Sequence, residues 1–170
     1  EASQDVMLAG LFSKTNFLDV LQNFTVFEPV DGRIIKKIPR YQQFRAVHKT
    51  IERLKKGENP KEKSGVIWHT QGSGKSLTMV FLTIKMRRDP ELRDYKLVFL
   101  TDRTQLDNQL TSTFSNAQGE TIRHADSVKS LKELLTSDAS DIITATVQKF
   151  QEGADDLEFP VLNNSEKIII

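Results

Sequence analysis

The 170 residues suffice for about one globular domain, and with 38% hydrophobic and 28% charged residues the composition is that of a soluble globular protein. Lys and Arg number 24 against 23 Asp and Glu, so a net charge of +1 excludes a whole-chain basic field, and any nucleic-acid site must be local. The absence of cysteine excludes disulfides and cysteine-bound zinc, and with no membrane-length apolar run and no signal peptide we expect a cytoplasmic protein without membrane contact.

Two short helices and a hairpin are predicted before residue 40. Helical spacing of apolar residues, with Thr15 or Asn16 as a cap, predicts the helices; the residues are Leu8, Leu11 and Phe12, then Phe17, Leu18, Leu21 and Phe24. Asp31-Gly32 favours a tight turn between strands at residues 25–27 and 33–35. The basic residues of the second strand fit a solvated face, with contact to a phosphate backbone as the alternative.

A longer amphipathic helix is predicted after Pro39. Its apolar stripe has spacings of three, four and three residues and should face a core as far as about Lys56; the stripe is Phe44, Val47, Ile51 and Leu54. Residues 57–64 are polar and include glycine and proline, which predicts an exposed loop.

A glycine-rich stretch after this loop has the context of a phosphate-binding loop. The apolar run at residues 65–68 predicts a strand, residues 71–76 read Gln-Gly-Ser-Gly-Lys-Ser, and helical apolar spacing follows. Glycines allow backbone N–H groups to point inward, and the N-terminus of a helix adds its positive dipole end. Lys75 would reach the terminal phosphates and the Ser76 hydroxyl would complete the coordination of Mg²⁺, so ATP or a related triphosphate with Mg²⁺ is the implied ligand.

One position departs from the general pattern. His69 stands where the pattern has a glycine. A chance glycine-rich helix cap is the alternative, but it would not explain why lysine and serine follow the second glycine. His69 at the exit of a strand is interpreted as structural rather than as an acid or base.

The rest of the chain alternates strands and helices. Strands are predicted at residues 96–100, more weakly at 121–123, at 141–146 and from 167 onward; helices are predicted around Leu106 and Leu110 and at 128–135. This order predicts an α/β fold with a parallel sheet and helices on both faces. Because ligands bind at the carboxyl ends of parallel strands, the loop and residues 101–103 and 144–146 should line one edge.

Three further stretches resemble the motifs of one known family. Residues 40–47, Arg-Tyr-Gln-Gln-Phe-Arg-Ala-Val, resemble an adenine-recognition motif upstream of the loop. Residues 98–109, with Asp-Arg, leucine and glutamine, and residues 143–150 resemble the next two motifs. The chain therefore resembles the motor subunit of type I restriction enzymes, a superfamily 2 helicase-like translocase. The lead-in, with Gly10-Leu11-Phe12, is similar to the segment that joins this family's nuclease domain to its motor.

The resemblance implies an ATP-dependent motor that translocates duplex DNA until a nuclease domain cuts. It implies a P-loop, RecA-like first motor domain, present in part at residues 40–170, and a lead-in at residues 1–39. The nuclease domain would precede residue 1, and the Asp-Glu-Ala-His motif would begin just after Ile170. A segment without that motif and without the second motor domain's arginine finger is expected to bind nucleotide weakly and not to hydrolyse it. The implied partners are double-stranded DNA and the modification and specificity subunits of a restriction complex.

The resemblance also implies residue roles. Lys75 is expected to be the catalytic residue and Ser76 the metal ligand. Nucleotide contacts are expected from Arg40, Gln43, Gln71, Gly72, Ser73, Gly74, Lys75 and Ser76. Gln43 would form hydrogen bonds with N6 and N7 of adenine. In the alternative alignment of the motif, Gln42 would have this role. A third interpretation is that both glutamines merely begin an exposed helix. DNA phosphate contacts are expected from Thr101, Arg103, Thr144, Thr146 and Gln148, although threonines after strands also commonly cap helices.

Two other functions use the same loop. A P-loop kinase is one, but it needs no adenine-reading glutamine upstream of the loop. A non-catalytic nucleotide-binding module is the other, and ATPase activity would separate it from a motor.

Overall fold

The computed structural model describes residues 2–102, 122–152 and 161–170. The chain divides into two compact units, Glu1–Met86 and Arg87–Ile170. No helix in these described ranges is long and apolar enough to cross a membrane.

The first unit begins with the two predicted helices. Helix α1 is Ala2–Leu11 and helix α2 is Lys14–Asn23. The cap of α2 is Ser13, whose hydroxyl accepts a hydrogen bond from the Asn16 N–H at 3.4 Å. The predicted cap at Thr15 or Asn16 was wrong, because the helix starts one residue before Thr15 and its orphan N–H groups lie nearer to Ser13.

The predicted hairpin follows. Strands β1 (Val26–Val30) and β2 (Arg33–Lys37) pair antiparallel, with Val30 opposite Arg33. The turn residues Asp31 and Gly32 have φ of 49° and 74°. Two consecutive left-handed residues are what the tight two-residue turn requires, which explains the Asp-Gly pair.

Three helices complete the first unit. The amphipathic helix α3 is Tyr41–Lys56, the short helix α4 is Pro60–Lys63, and helix α5 is Lys75–Arg88, whose last two residues belong to the second unit. Helix α4 was not predicted. Asn59 caps it by accepting from the Glu62 N–H at 3.1 Å, and its first residue is proline, which needs no hydrogen-bond donor there.

The core of the first unit joins the lead-in to the helices around the loop. Phe24 is 0% exposed, and its ring centre lies 4.8 Å from that of Phe44 on α3 and 5.4 Å from that of Phe81 on α5. The other buried apolar residues of this unit are Val20, Val26, Val47, Ile51, Leu54, Val80, Ile84 and Met86. The lead-in therefore shares a core with α3 and α5 through Phe24, while the domain boundary after residue 39 stays a prediction.

The strand predicted at residues 65–68 is not formed. The backbone there belongs to no helix or strand, and Val66 and Trp68 are 91% and 89% exposed. A strand is stable only when a neighbour takes its N–H and C=O groups. Within the described residues the sheet strands pair elsewhere, so this prediction was wrong for the structure.

The second unit contains a four-stranded parallel sheet in its described part. In chain order its elements are β3 (Lys96–Thr101), β4 (Ile122–His124), α6 (Val128–Thr136), β5 (Ile142–Thr146), α7 (Val147–Glu152) and β6 (Ile168–Ile169). The strand order is β4-β5-β3-β6, and Thr101 pairs with Thr146. The α/β class and the parallel sheet are confirmed. Leu106 and Leu110 lie outside the described residues.

The sheet and its helices bury a second apolar cluster. All five residues of β5 are buried, as expected of a central parallel strand. The cluster consists of Val98, Ala125, Leu131, Leu135, Ile143 and Ala145, and Phe150 of α7 packs against it.

Candidate phosphate-binding site

The loop at residues 71–76 adopts the backbone that its glycines allow. Gly72 and Gly74 have φ of 73° and 83°, in the left-handed region that side-chain-bearing residues rarely adopt. A Cβ at Gly72 would meet no atom within 4 Å, so the space beside it is open. Helix α5 starts at Lys75, directly after the loop. Its first N–H groups have no partner within the helix and point toward the loop.

Lys75 lies at the mouth of the loop. It is exposed, and its Nζ donates to the Thr70 carbonyl at 3.1 Å. The same carbonyl accepts from the Ser73 hydroxyl at 2.6 Å and from the Ser73 N–H at 3.3 Å. The Thr70 carbonyl thus links the start of the loop to Ser73 and Lys75, and it keeps the charge of Lys75 beside the loop.

Gln43 lies behind the loop rather than in it. It is 2% exposed, and its Oε1 accepts from the Arg40 N–H at 2.8 Å. Its Nε2 donates to the Gly74 carbonyl at 2.9 Å. Both polar atoms of the amide are therefore used by the protein, and in this arrangement the amide does not present the edge that was expected to read adenine.

An open groove runs between α3 and the extended residues 65–69. Its volume is about 780 Å³, and Tyr41, Gln42, Trp68 and His69 are among the residues that line it. The charged residues that line it are Arg45, Lys49, Glu52, Arg53, Lys56 and Lys63. Five of these six carry positive charge, so the groove attracts anions.

The site fits a phosphate chain. Left-handed glycines, the start of a 14-residue helix and an exposed lysine supply backbone donors, a dipole end and a point charge at one place. Among the described residues no group of three or more His, Cys, Asp or Glu side chains could hold a metal ion. Within the loop, the Ser76 hydroxyl is the oxygen group that could ligate a Mg²⁺ ion carried by the phosphates.

The residues predicted to contact DNA belong to the second unit. Thr101 and Thr146 end paired strands and are 9% and 8% exposed. Gln148 on α7 donates from Nε2 to the Asp102 carbonyl at 3.2 Å, so the sheet brings these three residues to one edge. Arg103 lies outside the described residues.

The geometry gives no support to a DNA contact by Thr144. This residue is 0% exposed, and its hydroxyl lies 3.1 Å from Nδ1 of His124. A hydroxyl enclosed in this way does not reach a phosphate. His124, which the sequence did not single out, also approaches Asp126 with its Nε2 at 3.4 Å from a carboxylate oxygen. The side chain of Lys149 donates to the Ala125 carbonyl.

A polar cluster in the first unit was also missed from the sequence. The Asp19 carboxylate of α2 receives Lys85 Nζ of α5 at 2.6 and 2.7 Å and Asn23 Nδ2 at 2.6 Å. His48 Nε2 of α3 lies 2.7 Å from the same carboxylate, without the alignment of a directed hydrogen bond. Helices α2, α3 and α5 therefore meet at the Asp19 carboxylate. No local pattern marks these residues, because they come from distant segments.

The environment shifts the pKa of both acid and base in this cluster. Burial would raise the pKa of Asp19, but hydrogen bonds from Asn23 and Lys85 and the charges of Lys85 and His48 lower it overall. The pKa of His48 is lowered, first by burial and then by the charge of Lys85, against the opposing effect of Asp19. The cluster is most favourable with Asp19 ionised and His48 neutral.

Comparison with known proteins identifies the family. Residues 42–170 match the model of the SWI2/SNF2 ATPase family, which is more than half of the chain. The chain belongs to this family. The match begins at the start of α3 and includes the loop, which agrees with the helicase-like resemblance of the sequence motifs.

The chain is also similar to proteins named as endonuclease subunits of type I restriction enzymes. It is 39% identical to MjaIXP of Methanocaldococcus jannaschii over 99% of this chain and 34% identical to HindI of Haemophilus influenzae over 96%. It spans 16% of the length of each of these two relatives. A Mycoplasma pneumoniae protein, named as the C-terminal part of the MpnIIP endonuclease subunit, is 28% identical over 84% of this chain and 71% of its own length. These similarities confirm the predicted resemblance.

Proposed function

We propose that this chain is the ATP-binding part of the DNA-translocating motor of a type I restriction endonuclease. The motor would couple ATP hydrolysis to movement along duplex DNA before cleavage. The observation that carries the proposal is the loop at residues 71–76, with two left-handed glycines and an exposed lysine at the start of α5. The names of the relatives support the restriction system, and membership of an ATPase family supports the nucleotide.

The loop residues have distinct roles in this proposal. Backbone N–H groups of Gly74, Lys75 and Ser76 hold the phosphate chain, Lys75 places its charge on the terminal phosphates, and the Ser76 hydroxyl ligates Mg²⁺. When bound, Mg²⁺-ATP supplies the phosphoryl group that is transferred to water. The loop offers charge from one side only, and hydrolysis needs it from several sides, so we expect these 170 residues alone to turn over no ATP.

The second unit would contact DNA at the carboxyl ends of β3 and β5. Thr101, Thr146 and Gln148 lie there, and phosphate contacts by hydroxyl and amide groups position a protein without reading sequence. Arg103 follows β3 in the sequence and is also proposed to contact a DNA phosphate. The modification and specificity subunits of a cytoplasmic restriction complex are the proposed protein partners.

The test is Lys75→Ala in the natural full-length protein. Lys75 is exposed and makes one loop hydrogen bond, so the variant should keep its melting temperature within a few degrees and lose ATP binding in a calorimetric titration. DNA-stimulated phosphate release should be lost with it. Lys61→Ala, at an exposed lysine of α4, is the matched control and should leave binding and hydrolysis unchanged.

Three outcomes separate the alternatives. Unchanged ATP affinity in Lys75→Ala would refute the phosphate loop. ATP binding by the unmodified protein without DNA-stimulated hydrolysis would favour the non-catalytic module. Hydrolysis that depends on DNA and displaces a third strand bound downstream on the duplex would support translocation.

A further inference from the structure

We infer that the open groove beside α3 is a binding site for single-stranded nucleic acid, with Trp68 as the platform on which an unpaired base stacks. The groove lies wholly in the first unit, whereas the proposed DNA contacts lie in the second unit, so the inference does not rest on the proposed function. Because the chain as a whole is nearly neutral, any nucleic-acid site must be local, and this groove is a local concentration of positive charge.

The positive charge of the groove follows one face of α3. Arg45, Lys49 and Arg53 line the groove and are four residues apart, so they form a row in which neighbours lie about 6 Å apart along the helix axis. This spacing is comparable to that of neighbouring phosphates in an extended single strand. Glu52 also lines the groove, but its carboxylate accepts from Lys56 Nζ at 2.7 Å. The charge of Glu52 is therefore matched by Lys56, and the row of three cations can act on a ligand.

The aromatic surface of the groove is open to solvent. Trp68 and Tyr41 both line the groove, yet they are 89% and 67% exposed. The Tyr41 hydroxyl accepts a hydrogen bond from Arg45 Nη1 at 2.7 Å, which places a cation of the row beside an aromatic ring. Large aromatic side chains gain most when they are covered, so rings exposed to this extent mark a surface that binds a ligand. Aromatic rings beside a row of cations are the combination by which proteins hold single strands.

The combination of charge and aromatic surface favours a single strand over other polyanions. In duplex DNA the bases already stack on one another, so a duplex would bring only its phosphates to the groove. An acidic polypeptide would pair with the cations and leave the ring of Trp68 uncovered. An unpaired strand can place its phosphates on the row of cations and a base on Trp68 at the same time, and every base has a flat face for such stacking.

The test measures the binding of a labelled oligothymidine to the natural full-length protein, by fluorescence anisotropy at several salt concentrations. Trp68→Ala should weaken binding by about fivefold to hundredfold and leave its salt dependence unchanged, because it removes stacking but no charge. Lys49→Ala should reduce the slope of log affinity against log salt concentration by about 0.7, the share of one phosphate contact on a single strand. Lys55→Ala, at an exposed lysine of α3 that does not line the groove, is the matched control and should change neither quantity.

Several results would overturn the inference. One is an unchanged affinity for oligothymidine in Trp68→Ala, and another is tighter binding of a duplex of the same length. Competition by polyglutamate as effective as that by unlabelled oligothymidine would assign the groove to an acidic polypeptide. By contrast, recovery of most of the lost affinity in Trp68→Phe would support stacking, because phenylalanine restores a flat ring without the indole N–H.

Two further measurements keep the test decisive. If Trp68→Ala does not fold, Arg45→Ala combined with Lys49→Ala replaces it: a slope reduced by about 1.4 would support the inference, and an unchanged slope would overturn it. Displacement of oligothymidine by ATP but not by tripolyphosphate, each with Mg²⁺, would assign the groove to the base of a nucleotide and overturn the inference. Unchanged ATP affinity in Lys75→Ala would refute the phosphate loop alone, so the two proposals fail separately.

Discussion

Replacing Asp19 by asparagine should destabilise the first unit more than any exposed charge change. The carboxylate is the shared anion for Lys85, 2.6 Å away on α5, and His48, 2.7 Å away on α3. Asparagine keeps the shape but removes the charge, so Lys85 would remain enclosed among apolar groups, with its Nζ 5.4 Å from the centre of the Phe24 ring.

The expected size follows from the exposure of the pair. The side chains of Lys85 and Asp19 are 17% and 14% exposed. Breaking a fully buried pair by removing one partner costs about 3–5 kcal/mol, and an exposed pair contributes under about 1 kcal/mol. For these mostly enclosed groups we expect Asp19→Asn to lower the free energy of unfolding by about 2–3 kcal/mol.

The assay is urea unfolding followed by circular dichroism at neutral pH. Asp19→Asn with Lys85→Met should cost less than the sum of the two single changes, because the double variant leaves no unpaired charge. Glu52→Gln is the control, since the Glu52–Lys56 pair on the surface of α3 has side chains 58% and 76% exposed and should add nothing measurable.

The contribution of the Asp19 charge to stability should also depend on pH. Because the folded pKa of Asp19 lies below its ordinary value of 3.8, its contribution is present above that pH and is lost as the pH falls through the folded pKa. The difference between the unmodified protein and Asp19→Asn should therefore narrow below about pH 4. Two results would show that the cluster does not hold the helices together. One is an Asp19→Asn variant as stable as the Glu52→Gln control. The other is a difference in the free energy of unfolding between the unmodified protein and Asp19→Asn that does not change below about pH 4.

Two further predictions concern the partly exposed His48 and the buried Lys96. The pKa of His48 in the folded protein lies below its ordinary value of 6.5, so the unfolded chain binds the proton more readily and the free energy of unfolding should fall as the pH drops below 6.5. The variant His48→Gln should abolish this loss, which urea titrations at about pH 7 and pH 5.5 would measure. Lys96 is 3% exposed, and its Nζ donates to the carbonyls of Leu134, at 2.6 Å, and of Leu135 and Ser137, at the end of α6. Lys96→Met should cost about 2–3 kcal/mol in urea unfolding, and a cost below about 0.5 kcal/mol would refute its role as a helix cap.

Local patterns were sufficient wherever short-range chemistry decides the structure. Asp31-Gly32 encodes its turn because only such residues adopt two left-handed conformations in sequence. The stripe of Val47, Ile51 and Leu54 encodes α3 because its period matches the helix, and all three are buried. The loop at residues 71–76 was found from its residue types, and its left-handed glycines agree with the expected backbone.

The features that were not predicted from the sequence depend on contacts between residues that are far apart in the chain. The apolar run at residues 65–68 has the composition of a strand, but strand formation depends on a neighbour that periodicity does not specify. Gln43 lies within a motif, yet its burial against Gly74 comes from the packing of α3 on the loop. Lys96 would pass for a solvated residue at a strand end, although its Nζ is enclosed by carbonyls of α6.

Helix α5 is held at both ends by groups from other elements of the first unit. At its start, Gln43 of α3 bonds the Gly74 carbonyl, and about 15 Å further along, at 1.5 Å per residue, Asp19 of α2 bonds Lys85. The two anchors differ in kind: the first is a hydrogen bond between neutral groups, and the second is an ion pair with α2. Changes at either anchor should therefore lower stability, but only changes at the second should alter its pH dependence.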